Sequence, residues 1–235
     1  MTEPAGRAGS AEIAQEKLDF LAMMAGLKPV FVTGRGVEAA GWPQAVGALA
    51  ADEGLTAIEG PLWDATPWQS RSGGIALPEW YAEQCRSELA GHTAIAICRT
   101  KSIAADIESV KKARGRLSMA EEARLLGYPP CCVAAHYERA LRYHRATLSM
   151  LRRLGGDDPV RMQELLAGGA NMAPATDDEI ADLDAAFAID AAPFGSWNRC
   201  APCAAADSTP SSALSARYRK LALAVAPDLA NTLQF

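Results

Sequence analysis

Thr93-Ala94-Ile95-Ala96-Ile97-Cys98 decides the fold class. The run is apolar nearly throughout, the pattern of a strand covered on both faces rather than one with a wet side. Such a strand needs layers above and below it, and the flanking sequence offers them. Upstream, residues 28–33 and 55–59 are two further strand candidates, and residues 11–25, 37–51 and 78–90 read as helices. Ile13, Leu18, Leu21 and Ala25 fall near one side of the first helix, with Ser10 as its cap. Pro78 opens the third, where a missing N–H costs nothing. Residues 102–113 make a fourth helix.

The order strand, glycine-containing turn, helix, strand over residues 28–59 predicts a βαβ unit. It also raises a nucleotide site. Gly34-Arg35-Gly36 followed by Ala39 approximates the G-x-G-x-x-G/A fingerprint, and Glu59 stands where a ribose-binding acid would. An ordinary βα turn explains the same residues. Residues 60–74 carry Pro61, Trp63, Pro67, Trp68 and Gly73-Gly74, and predict an aromatic loop. Its tryptophans either bind a ligand or anchor the loop to the core.

Downstream the pattern turns helical. Residues 118–126 form a short helix with Ser118 and Glu121 as a capping box, and Gly127 suits the left-handed position after it. The next helix starts at Pro130 and runs to about Leu154, with Val133, Tyr137, Leu141, His144, Leu148 and Leu151 as its apolar stripe. Residues 159–166, 176–187 (capping box Thr176/Glu179) and 210–225 complete the set.

Two cysteine pairs carry the chemistry. Cys131-Cys132 follow Pro129-Pro130 directly, and Cys200-x-x-Cys203 comes later. Pro130 fits the first helical position, so Cys131 and Cys132 occupy a first turn, where the helix dipole and unpaired N–H groups favour thiolate. A C-x-x-C chelates an ion or a cluster. The four thiols therefore predict a shared metal or cluster. Structural zinc is usually held by two C-x2–4-C knuckles, whereas adjacent thiolates can reach separate irons, so an iron–sulfur cluster is expected ahead of zinc. A metal-free dithiol pair is the third option.

Other residues stand near this set. Cys98 ends the best strand, where open α/β sheets bind ligands, and is either a further ligand or a small buried hydrophobe. Cys85 lies in a helix with no partner thiol in its motif. His136 follows Cys132 by one turn, as a ligand, a partner to a sulfur, the candidate general acid or base, or a plain surface histidine. His144, in the apolar stripe, reads as a hydrogen-bonded core histidine.

The charge is segregated. Residues 99–153 hold 12 Lys/Arg against 5 Asp/Glu, and residues 156–192 hold 9 Asp/Glu against the single Arg161. The two segments face each other or solvent, or the basic one, with Arg139, Arg142 and Arg145, receives an anionic small molecule or a protein partner rather than nucleic acid. Across the 235 residues the net charge is −5 and 49% are apolar, enough to bury a core. No apolar run reaches the ~20 residues of a membrane helix. Residues 1–10 are small and polar, without a secretory apolar core, and are expected to be disordered. A soluble, cytoplasmic protein with thiols in a reducing compartment is the resulting expectation.

The motif Leu126-Gly127-Tyr128-Pro129-Pro130-Cys131-Cys132-Val133, with Pro202-Cys203 and then Ser211, Ser212, Tyr218 and Leu221, resembles a prokaryotic family of uncharacterised proteins, domain-of-unknown-function family 483. That family shares L-G-Y-P-x-C-C and a distal P-C-x-x-C. Here Pro202 precedes the second cysteine of its pair, not the first. The resemblance spans residues 115–222 and implies a cysteine centre without a settled activity. The order Cys98, Cys131-Cys132, Cys200/Cys203 is also similar to the CCG-type cluster domains of heterodisulfide-reductase subunits, with Val133 in place of the glycine. This likeness implies cluster geometry, not that activity.

The expected architecture is α/β: an α/β sheet domain over residues 11–115, then a mainly helical cysteine-motif region over residues 116–235. The expected function is that of an iron–sulfur or other metal protein, either an enzyme in sulfur, redox or small-molecule metabolism or a zinc-stabilised binding module.

Overall fold

The computed structural model describes residues 5–36, 42–60, 77–90, 92–112, 119–168 and 172–233. Among these the chain runs α1 (Ala5–Met24), β1 (Val30–Gly36), α2 (Trp42–Asp52), β2 (Thr56–Glu59), α3 (Glu79–Ala90), β3 (His92–Cys98), α4 (Lys101–Lys112) and α5 (Met119–Leu126). It continues with α6 (Pro130–Gly155), α7 (Pro159–Ala167), α8 (Asp177–Phe187), α9 (Ala201–Ala205), α10 (Pro210–Val225) and α11 (Pro227–Thr232). A small sheet in the first half precedes a helical second half. Helix α1 begins at Ala5, ahead of the expected Ala11, because Ala5, Ala8 and Ala11 favour helix and extend it backwards. Residues 61–76, with Trp63 and Trp68, lie outside the described residues, as does Ser118 of the expected capping box.

Tertiary contacts divide the chain into two compact units. The first comprises Met1–Asp64, Ala90–Val133 and Asp190–Phe235, and the second Ala65–Leu89 and Ala134–Ile189.

The first unit is built on the sheet, in the order β1-β3-β2. β3 is central and antiparallel to both neighbours, with Cys98 opposite Val30 on one side and Thr56 on the other. Side chains alternate between the faces. Val30, Ile58, Ala96 and Cys98 pack with Ile107 of α4 and Leu125 of α5. Phe31, Ile95 and Ile97 pack with Met23 of α1 and Ala50 of α2. Two covered faces explain the nearly continuous apolar run of β3.

The βαβ expectation needs correcting. β1 and β2 run in the same direction and are joined through α2, but β3 lies between them, so the unit is split. The most apolar strand takes the position with two neighbours and two covered faces. The nucleotide reading fails on the same pairing. Gly34 and Gly36 lie inside β1, opposite Ala94 and His92, and form no phosphate-cradling turn.

The second unit packs Leu77, Tyr81, Leu148, Leu151 and Met162 into one apolar cluster, with Cys85 partly buried against it. The basic face of α6 meets acidic α8. Arg142 and Arg145 pair with Asp182, and Arg153 with Glu179. Part of the charge segregation is thus complementary within this unit. The Thr176/Glu179 capping box is formed, with both reciprocal hydrogen bonds present. Among the described residues no helix is long and apolar enough to cross a membrane.

Candidate metal centre

All four predicted thiols lie in the first unit, and their sulfurs converge. Cys131 Sγ is 3.6 Å from Cys203 Sγ and 4.0 Å from Cys132 Sγ, and Cys132 Sγ is 3.9 Å from Cys200 Sγ. All four sulfurs lie within 4.8 Å of one another. This is a donor set for a metal.

The first pair is placed by the turn between α5 and α6. Gly127 has φ +71, a left-handed conformation, and passes close to β1's approach: a Cβ there would sit 2.9 Å from Lys28 Cβ. Pro129 is buried, and its carbonyl accepts from the amides of Cys132 (2.9 Å) and Val133 (3.1 Å). Pro130 then opens α6, as the sequence predicts. Lys28 is buried in an ion pair with Asp19 (3.1 Å), and its Nζ lies 5.0 Å above the Tyr128 ring.

The second pair hangs from residues 190–199. Arg199 holds Asp190 through its side chain (2.6 and 3.0 Å) and its backbone N–H (2.6 Å). Phe194 has φ 58, and a Cβ on Gly195 would meet the Trp197 ring at 2.5 Å, so only glycine lets the indole fold back. Trp197 Nε1 donates to Ser211 Oγ (2.8 Å), and its ring packs edge-on against Tyr218 at 5.6 Å. Cys200 is the N-cap residue of α9, and Cys203 lies in its first turn.

The two arms are joined above the sulfurs. Tyr128 and Trp197, each three residues before a cysteine pair, lie 5.6 Å apart with rings tilted by 35°. Tyr128 Oη and Ser196 Oγ share a hydrogen bond of 2.6 Å. Sequence reasoning missed this aromatic clamp, although an aromatic at the same offset from both pairs is visible in the chain. It also missed the groups that touch the sulfurs. The Cys200 backbone acts to lower the Cys132 thiol, and the Ser211 backbone and Thr209 side chain act to lower that of Cys203.

Protonation departs from the helix-dipole expectation. Burial pushes the Cys132 thiol up to about 12, and burial first, then the neighbouring Cys203 sulfur, raises Cys131. Pro130 has no N–H and the Pro129 carbonyl takes the amides of Cys132 and Val133, which leaves the helix terminus fewer donors to offset burial. For Cys203 burial also raises the thiol, but hydrogen bonds with Cys200 and Cys131 and from Ser211 outweigh it, and the net shift is downward. A metal held by these thiols would displace protons from them.

The other candidates lie elsewhere. Cys98 is 0% exposed in the apolar cluster under β3, with its Sγ directed at the Thr100 carbonyl at 3.7 Å. His136 is exposed, edge-on to Tyr137 at 5.7 Å, and is not among the four converging donors. His144 Nδ1 bonds the Tyr81 hydroxyl at 2.8 Å, a half-buried histidine with a partner, as its place in the stripe predicts.

No family model, no curated protein and no solved structure matches this chain. The functional reading therefore rests on the geometry of the centre.

Proposed function

We propose that Cys131, Cys132, Cys200 and Cys203 bind one zinc ion, and that the protein is a zinc-stabilised module. The observation that carries this reading is the sulfur spacing. Four thiolates around one ion with bonds of about 2.3 Å form a tetrahedron with edges of about 3.8 Å. Three of the six sulfur pairs, at 3.6, 3.9 and 4.0 Å, lie near that value, and all six lie within 4.8 Å. Thiolates on separate irons of a cluster stand farther apart, by the width of the inorganic core. Adjacent cysteines 4.0 Å apart can serve one ion without a second metal atom, which supports zinc over a cluster.

A site closed by four protein donors has no open position for substrate, which supports a structural role. Its place in the chain supports the same role. The chain leaves the first unit after Val133 and returns at Asp190, so the ion would tie the exit to the return.

Metal analysis of protein purified without oxygen tests the reading. One zinc per chain, no iron and no sulfide is the expected result. Iron with sulfide and broad visible absorption would replace the single ion by a cluster, and absence of metal would leave a dithiol protein.

A further inference from the structure

The four sulfurs are not equivalent. Cys132, Cys200 and Cys203 keep 1%, 5% and 3% of their exposure, whereas Cys131 is exposed. A metal-bound thiolate open to solvent can be reached by an oxidant, whereas its three buried partners are shielded from one. Cys131 Sγ lies closer to Cys203 Sγ, at 3.6 Å, than to that of its chain neighbour Cys132, at 4.0 Å. Cys131 and Cys132 also diverge by about 100° around one helix. Cys203 comes from another segment and carries no such constraint.

We propose that Cys131 is an oxidisable site of the metal centre, where a hydroperoxide is reduced and a Cys131–Cys203 disulfide forms with release of the ion. This inference rests on the single-ion reading above. In the first step the Cys131 thiolate attacks the terminal oxygen of the hydroperoxide. The O–O bond breaks, the departing oxygen leaves as hydroxide or alkoxide and is protonated by water, and the sulfur is oxidised by two electrons to a sulfenic acid. In the second step the Cys203 thiolate attacks Cys131 Sγ. The S–S bond forms, the S–O bond breaks, and hydroxide leaves and is protonated by solvent. Both electrons come from the two thiolates, and the ion keeps its charge. It is then left with two of its four donors and dissociates.

The test uses full-length protein whose zinc content has first been measured. Hydrogen peroxide is added below one equivalent with a chromogenic zinc chelator present, remaining thiols are blocked with N-ethylmaleimide, and peptides are mapped by mass. The expected result is zinc release in step with one disulfide, Cys131–Cys203. Cys131→Ser, if it holds zinc, should slow peroxide-driven release by about tenfold or more, and Cys85→Ser should leave the rate unchanged. A first disulfide between Cys132 and Cys200, unchanged release in a zinc-loaded Cys131→Ser protein, or zinc retained after the disulfide has formed would each overturn the proposal. Peptide mapping needs no variant, so it decides even if Cys131→Ser fails to fold. Zinc-loaded protein that gives the wrong disulfide sinks this inference alone, whereas protein isolated with iron and sulfide, or with no metal, sinks the single-ion reading and this inference with it.

Discussion

Trp197 Nε1 donates to Ser211 Oγ at 2.8 Å, which ties the segment leading to Cys200 and Cys203 to the first turn of α10. One residue thus holds the aromatic clamp. Ser211 is 0% exposed and Trp197 is 5% exposed, so removing the hydroxyl leaves the indole N–H unpaired in the interior. Ser211→Ala should cost about 1–3 kcal/mol of stability, read as a lower urea midpoint. The change alters none of the four cysteines, so metal stoichiometry should stay as in the parent protein. A midpoint within about 0.5 kcal/mol of the parent would show that the hydroxyl does not hold the indole.

Gly127 and Gly54 separate two costs that are usually confounded. Both have positive φ, +71 and +70, but a Cβ at Gly127 meets Lys28 Cβ at 2.9 Å and Lys28 Cα at 3.1 Å, whereas Gly54 faces open space. Gly54→Ala should therefore cost only the left-handed backbone penalty, about 1–2 kcal/mol. Gly127→Ala should cost more, because Lys28 must shift and its buried pair with Asp19 shifts with it. Equal midpoints in urea for the two variants would mean that Lys28 yields without resistance.

What was legible depended on how local the cause is. The nearly continuous apolar run of β3 is a property of its own side chains, so the strand could be read directly. Its direction relative to β1 and β2 depends on partners distant in sequence, and the split pairing was missed. The cysteine set was legible because ligand spacing is a local signature. The protonation of Cys131 and Cys132 was not, because burial and the sulfurs of Cys200 and Cys203, some 70 residues on, set it only in the fold. The arginines of α6 read equally well as an anion site until Asp182 and Glu179 were placed beside them.

Those pairs make the second unit sensitive to acid. Burial pushes the Glu179 carboxyl up, but the Ala175 N–H (2.8 Å), the Arg153 guanidinium and the Ser149 hydroxyl (2.9 Å) outweigh it, and the net shift is downward. Arg145 first, and then Arg142, hold Asp182 below its ordinary range. A carboxylate with a lower pKa folded than unfolded binds fewer protons in the native state. Its stabilisation is present above the unfolded value of about 4 and is lost as pH falls through the folded one. Thermal melts between about pH 7 and 3 should show stability falling below about pH 4. Glu179→Gln should be less stable at neutral pH and show a shallower acid slope. Parallel slopes in the two proteins would exclude Glu179 as a source of the acid sensitivity.

Removing the metal should have a limited effect, for a reason that lies outside the donor set. Small zinc domains unfold without their ion because nothing else assembles the ligands. Here the Tyr128–Ser196 bond, the Tyr128–Trp197 contact and the Trp197–Ser211 bond bring the two arms together by themselves, and the sheet core packs independently of the sulfurs. Chelator-stripped protein should keep its far-ultraviolet helical signal while its melting temperature falls. Rebinding should also depend on pH. The Cys132 thiol is pushed up to about 12 by burial and Cys131 is raised, so uptake expels protons and affinity must rise with pH. Zinc competition titrations at about pH 6 and 8 should differ by about tenfold or more in favour of the higher pH. Loss of the helical signal on stripping would mean that the aromatic clamp cannot assemble the arms, and pH-independent uptake would mean that the metal-free site is already held as thiolates.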